Sequence, residues 1–67
     1  MDKYDLVKVI KSGIDAKFID EFGIITKTYK DIDDIELYEI LFVGAKTNEL
    51  AKKYGGALFY EHELEGI

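Results

Sequence analysis

One histidine, one serine and fourteen carboxylates are the side chains of this 67-residue chain most able to do chemistry, and cysteine is absent. His62 stands between Glu61 and Glu63, where a carboxylate could orient the imidazole as a proton carrier. No second His and no Cys is available as a co-ligand, so a zinc site would need carboxylates throughout. The ordinary reading of Glu61-His62-Glu63 is a charged turn that keeps its polar groups in water. Ser12, between Lys11 and Gly13, has the setting of a turn residue, not of a nucleophile. Asp31, Asp33, Asp34 and Glu36 invite a calcium reading. Counted from Asp31, however, the position that should be Gly is Glu36 and the one that should be a bidentate Glu is Phe42. Gly55-Gly56 lacks the Lys-Ser/Thr that completes a phosphate cradle. No cofactor or metal is expected, and no pairing of catalytic groups supports an enzyme. A chain this short is also expected to leave no cavity of the usual ~300 Å³.

These residues are better suited to contact than to catalysis. Tyr is favoured where one end is buried and the other meets a partner, and the chain has five: Tyr4, Tyr29, Tyr38, Tyr54 and Tyr60. The candidate protein-binding site is Asp31, Asp33, Asp34 and Glu36 together with Tyr29, Tyr38, Tyr54 and Tyr60. The plain alternative for the tyrosines is structural packing.

Charge narrows the choice of partner. The net charge is −5, and its distribution is uneven: +1 over residues 1–30 and −6 over residues 31–67. The second half therefore repels phosphates and attracts basic partners. All nine basic residues are Lys, so the guanidinium fork that reads phosphate or guanine bidentately is missing. No run approaches the ~18 apolar residues of a membrane span, and the first residues lack a signal peptide's basic and apolar regions. With no cysteine, these features point to the cytoplasm. Abundant Ile and Lys without Arg are the residue choices of an AT-rich coding sequence, as in a low-GC bacterium or its phage.

The elements that must position these groups are short. Tyr4–Ile10 reads as a first strand ending in a Lys11-Ser12-Gly13 turn. Residues 14–22 read as a packed loop with a helical turn over Asp15–Glu21, closed by Gly23. Ile24–Tyr29, rich in β-branched residues, is the clearest strand. Simple alternation puts Ile25, Lys27 and Tyr29 on one face and Ile24, Thr26 and Thr28 on the other. Lys30–Asp34 is a hairpin connection, and Leu37–Val43 a strand so continuously apolar that both its faces should be covered. Thr47–Gly56 is punctuated as a helix, with Thr47 or Asn48 as cap, Lys52 and Lys53 in the last turn and Gly55 after it. Two turns of helix need docking, here through Leu50 and Tyr54. Ala57–Tyr60 is a fourth strand and Leu64–Ile67 a short closing one. The whole of residues 1–67 is expected to be a single, mainly β domain: a small antiparallel barrel of about five strands with a helical insertion before the fourth.

The order of these segments resembles the SH3-like small barrels, in particular KOW-type and prophage-encoded ones. The residues that carry the likeness are Leu6-Val7-Lys8-Val9, Phe22-Gly23-Ile24-Ile25, Leu37-Tyr38-Glu39-Ile40-Leu41-Phe42 and the ending Phe59-Tyr60-Glu61-His62-Glu63-Leu64. The resemblance spans about residues 4–65 and implies the barrel fold. It also implies a binding module, directed to peptides or to nucleic acid. This chain is acidic where nucleic-acid-binding KOW modules are basic, and its Thr47–Gly56 segment is longer than their usual turn. The expectation is therefore a non-enzymatic module binding a protein with a basic surface, such as a phage- or mobile-element-encoded modulator of a host protein. Such an acidic face could occupy a nucleic-acid site on that protein. The alternative is a KOW-like nucleic-acid binder using Lys8, Lys11, Lys17, Lys27 and Lys30. A homodimer is also expected to be favourable for so small a core.

Overall fold

The structure is a computed structural model that describes all residues from Met1 to Ile67. Its strands are β1 (Leu6–Val9), β2 (Phe22–Lys30), β3 (Glu36–Phe42), β4 (Leu58–Tyr60) and β5 (Leu64–Gly66). One helix, α1 (Ala45–Lys53), precedes β4, and 3₁₀ turns occupy Ala16–Phe18 and Glu61–Glu63. The strands form one antiparallel sheet in the order β4-β3-β2-β1-β5. Five short strands with a helix before the fourth is the architecture the sequence pattern leads one to expect. The hydrogen-bonded ladder does not run on from β4 to β5. These two strands are three residues each and are joined only by the 3₁₀ turn Glu61–Glu63, which spans the opening between them. No helix is long and apolar enough to cross a membrane.

Alternation selects the core. Val7 and Val9 of β1, Ile25 of β2, and Tyr38, Ile40 and Phe42 of β3 turn inward, with Phe59 and Leu64 from the last strands. Phe18, delivered by the first 3₁₀ turn, is completely buried. Its ring lies 5.5 Å from Phe42 and 5.3 Å from Phe59, so three aromatics fill the centre. That turn starts at Asp15, whose carboxylate accepts the Lys17 N–H at 2.9 Å. Gly23 sits where β2 and β3 approach closely. A Cβ there would collide with the Ile40 side chain and the Leu41 carbonyl.

Two expectations about the strands are corrected. The continuous apolar run of β3 is not covered on both faces, because Leu41 is 56% exposed on the side away from the core. The alternation of β2 is broken by a bulge between Ile25 and Lys27. Ile25 faces Ile40 in the core, but beyond the bulge it is Thr28 that pairs with buried Tyr38. Lys27 and Tyr29 therefore leave the face of Ile25 and join that of Ile24. The extra residue is Thr26, whose hydroxyl donates toward the Glu39 carbonyl and carboxylate at 3.3 and 3.2 Å.

The helix begins earlier than its capping residues imply. Gly44 is the N-cap and provides no side-chain bond. Asn48 instead turns its amide on β3 past the end of β4, accepting the Phe42 N–H at 2.8 Å and donating to the Phe42 carbonyl at 2.7 Å. It replaces a missing strand residue. Buried Thr47 donates its hydroxyl to the Glu21 carboxylate. The far end closes as its glycines require: Gly55, at φ 74°, donates to Lys52 and Gly56 to Ala51, each at 2.9 Å.

The Glu61–Glu63 turn is not wholly in water. Glu63 is 7% exposed, and its carboxylate accepts the N–H groups of Gly13 and Tyr60, both at 2.9 Å. Its carbonyl accepts those of Ile10 and Lys11 at 2.8 and 3.3 Å. Glu63→Ala should cost about 2–3 kcal/mol in urea unfolding, since two N–H groups lose a charged acceptor. Glu63→Gln, which keeps one acceptor oxygen, should fall between it and the wild type. Gly23→Ala should be destabilising by about 2 kcal/mol or more through overpacking, whereas Gly66→Ala, with open space at its Cβ, should change little.

Candidate protein-contact surface

β1 pairs with β2 only over Phe22–Ile24, so Thr26–Lys30 has β3 on one side and no strand on the other. The β2 edge of the β2–β3 hairpin is thus open, with β4 alongside β3 over Leu37–Glu39, and the hairpin ends as an arm with a built tip. The Asp31 N–H donates to the Ile35 carbonyl at 2.9 Å, and the Asp31 carboxylate accepts the N–H groups of Asp33 and Ile35 at 2.8 and 3.0 Å. Asp34 takes the left-handed conformation, φ 64°, that Asp tolerates in a turn. Asp31 is thus a structural residue whose carboxylate fixes the tip. Asp33 and Asp34 are exposed there. The Asp34 contact with Lys30, at 3.4 Å, is an exposed pair that adds at most a few tenths of a kcal/mol. Between these acids Ile32 is 99% exposed, and Ile35 is half exposed beside it.

The tyrosines divide into three kinds. Tyr29 and Tyr60 flank Leu37 on the outer side of the sheet, through the register Tyr29↔Leu37↔Tyr60, and both remain partly exposed. His62 stacks on Tyr60, with ring centroids 5.7 Å apart and planes 12° from parallel. Tyr38 is a core residue, and its hydroxyl donates to Glu36 at 2.6 Å. Tyr54 caps the C-terminal end of α1, away from the hairpin tip, where its ring approaches Phe18 at 6.2 Å and its hydroxyl donates to Asp15 at 2.6 Å. The structure therefore brings Asp33, Asp34, Glu36, Tyr29 and Tyr60 to one arm and its adjoining strand. Tyr38 and Tyr54 are withdrawn from that surface. Sequence reasoning missed Ile32 and Ile35, although isoleucine interrupting a polar hairpin run was the available signal.

The lysines of the first half do not gather into one stripe. Lys8 lies 3.5 Å from Asp20, and Lys30 is engaged by Asp34. Lys27 pairs in register with Glu39. Lys17 instead joins Lys46 and Lys53 of α1 around an open concavity of about 460 Å³. A second, of about 660 Å³, lies between α1 and β3 and is lined by Ile40, Leu41, Ala51 and Gly55-Gly56-Ala57, with Glu39 and Lys52 among its polar residues. The expectation of no concavity above ~300 Å³ is thus corrected. These spaces lie outside the core, where a helix laid against the sheet leaves a groove. Neither contains His62 or Ser12.

No protein-family model matches the chain, and no curated protein or solved structure is significantly similar to it. The reading of the surface therefore stands on its geometry.

Three groups titrate away from their ordinary values. The hydrogen bond to Glu36, then burial, push the Tyr38 hydroxyl up to about 12. The hydrogen bond between Tyr54 and Asp15 raises the tyrosine and, with the Lys17 N–H, lowers the carboxylate. For Tyr38 the folded value lies above the unfolded one of 10.0. Its contribution is complete below pH 10 and is lost as pH rises through about 12. Asp15 acts in the opposite sense, its contribution present above the unfolded value of 3.8 and lost as pH falls through its lower folded value. Tyr38→Phe should therefore flatten the loss of stability between about pH 10 and 12, while costing about 1 kcal/mol near neutrality. Urea midpoints across that range decide it. An alkaline slope unchanged by the substitution contradicts the assignment.

Proposed function

We propose that the chain is a non-enzymatic protein-interaction module whose acidic hairpin engages a protein with a basic surface. The observation that carries this reading is Ile32, fully exposed at the end of a tip that Asp31 holds in one conformation. A large apolar side chain kept in water between Asp31 and Asp33 suits an apolar pocket rimmed by basic groups. The ordered tip lowers the entropy cost of filling that pocket. Tyr29, Leu37 and Tyr60 supply a flatter apolar contact behind the tip, and Glu36 extends the negative charge. The strand order, with a 3₁₀ turn before the last strand, supports an SH3-like barrel as the scaffold. Residue usage is that of a low-GC bacterium or its phage, and for a phage- or mobile-element-encoded chain the target would be a host protein. Against nucleic acid as the partner stand the net charge and the dispersal of Lys8, Lys27 and Lys30.

Immobilised wild-type protein should retain a specific protein from a lysate of the source cell. A variant combining Ile32→Ser, Asp33→Lys and Asp34→Lys should retain at least ten times less, with an unchanged circular dichroism spectrum. Lys52→Glu, on α1 and outside the hairpin tip, should retain it fully. Retention should weaken with added salt, as for any contact between opposite charges. Equal capture by the hairpin variant would falsify the proposal. Retention of RNA or DNA at ~50 mM salt, falling steeply as salt is raised, would favour the nucleic-acid alternative instead.

A further inference from the structure

The outer side of the sheet carries a second surface, separate from the hairpin tip. Across four strands the register sets Ile67, Leu6, Ile24 and Leu41 in one row, and Glu65, Lys8, Phe22 and Val43 in the next. Six of these eight positions are large and apolar, and each of the six is between 38% and 78% exposed. Together they expose on the order of 500 Å², the size of patch that on small soluble proteins marks a binding face. Lys8 lies near the Phe22 ring, its Nζ 5.9 Å from the centroid, and so shields part of one row.

We propose that this face is where two copies of the chain associate. Three observations favour a second copy over a foreign partner. The first is charge. The face and its border hold Lys8 and Lys27 against Glu65, Glu39 and Asp20, so it carries only −1 on a molecule whose net charge is −5. Two such molecules repel through most of their surfaces and least through this one, whereas a basic partner would be drawn to the hairpin. The second is area. The apolar patch supplies more than half of the ~800 Å² per partner that a stable interface needs, and the bordering Lys and Glu side chains supply the remainder. The third is the small core: 13 of 67 residues are buried, and domains of this size gain from association. The bulge at Thr26 bends β2 between this face and the tip, so a pair formed here leaves both tips free.

Sedimentation equilibrium between about 5 µM and 1 mM should show a monomer–dimer equilibrium, with a Tm that rises with concentration. Its dissociation constant should change less than about threefold between 50 and 500 mM salt, because apolar contact dominates. Leu41→Asp and Val43→Lys, tested singly at positions 56% and 78% exposed, should each weaken the dimer at least tenfold with an unchanged circular dichroism spectrum. Dilution of isotope-labelled wild-type protein provides a readout without substitution: the amide shifts should concentrate at Leu6, Ile24 and Leu41. The hairpin variant with Ile32→Ser, Asp33→Lys and Asp34→Lys should dimerise as the wild type does, so failure of one surface is distinguishable from failure of the other. A monomer throughout the range, an assembly larger than two, or a dimer indifferent to both substitutions overturns the proposal.

Discussion

A carboxylate with no cation beside it joins the two ends of this fold. Glu63 is nearly buried, makes no salt bridge, and spends its two oxygens on the N–H groups of Gly13 and Tyr60. Burying a charge is costly unless hydrogen bonds replace its water, and hydrogen bonds to an ionised acceptor are the strong kind. The cost is accepted at the one place where the strand ladder is interrupted. β4 and β5 do not pair, so their junction is held by this side chain and by its own carbonyl, which accepts Ile10 and Lys11. The first loop and the last turn, fifty residues apart, thereby share one acceptor residue. Phe18, which that loop carries into the core, depends on the loop being held.

The second constraint is the bulge at Thr26, and it decides what the outside of the molecule looks like. Without it, simple alternation would direct Lys27 and Tyr29 to the side of Ile25, toward the core. The extra residue puts Tyr29 beside Leu37 and Tyr60 on the outside and leaves Thr28 opposite Tyr38. It also falls where β1 stops pairing with β2. The sheet is thus four strands wide before the bulge, β5-β1-β2-β3, and three strands wide past it, β2-β3-β4, before it ends in the hairpin tip. An exposed hairpin edge invites uncontrolled strand pairing, and Lys27 and Lys30 along that edge are the usual protection.

Much of this was legible in the residues because it is local. Val7 and Val9, alternating with Lys8, announce an inward face by spacing, whereas the unbroken apolar run of β3 does not, and Gly55-Gly56 soon after Lys52 and Lys53 announces a helix end. The illegible parts each depend on a partner distant in sequence. Nothing in Glu61-His62-Glu63 distinguishes the buried glutamate from the exposed one, because the difference is the Gly13 N–H. Asn48 has the composition of a cap, and only the early end of β4 shows that it completes β3 instead. Thr26 looks like any other β-branched strand residue. At the candidate surface the acids were visible but their division of labour was not. Asp31 binds its own backbone, Glu36 accepts from Tyr38, and Asp33 and Asp34 are left exposed.

The two proposed surfaces impose different demands on so small a body, and their placement reconciles them. The hairpin tip is negative and must stay apart from other copies of itself, while the weakly charged apolar face works only if copies approach. A single surface cannot be both, since −5 on each chain opposes any contact that brings the acidic parts together. Separation along the same two strands solves this. The hairpin strands that end in Ile32 also carry, before the bulge and across from it, Ile24 and Leu41. A two-fold pair built on that end would present two identical tips on one rigid support. A partner with two basic sites at matching distance would then be held more tightly than either tip alone allows, without any new contact. For a chain with ten apolar residues in its core, pairing would add burial and valency through the same face.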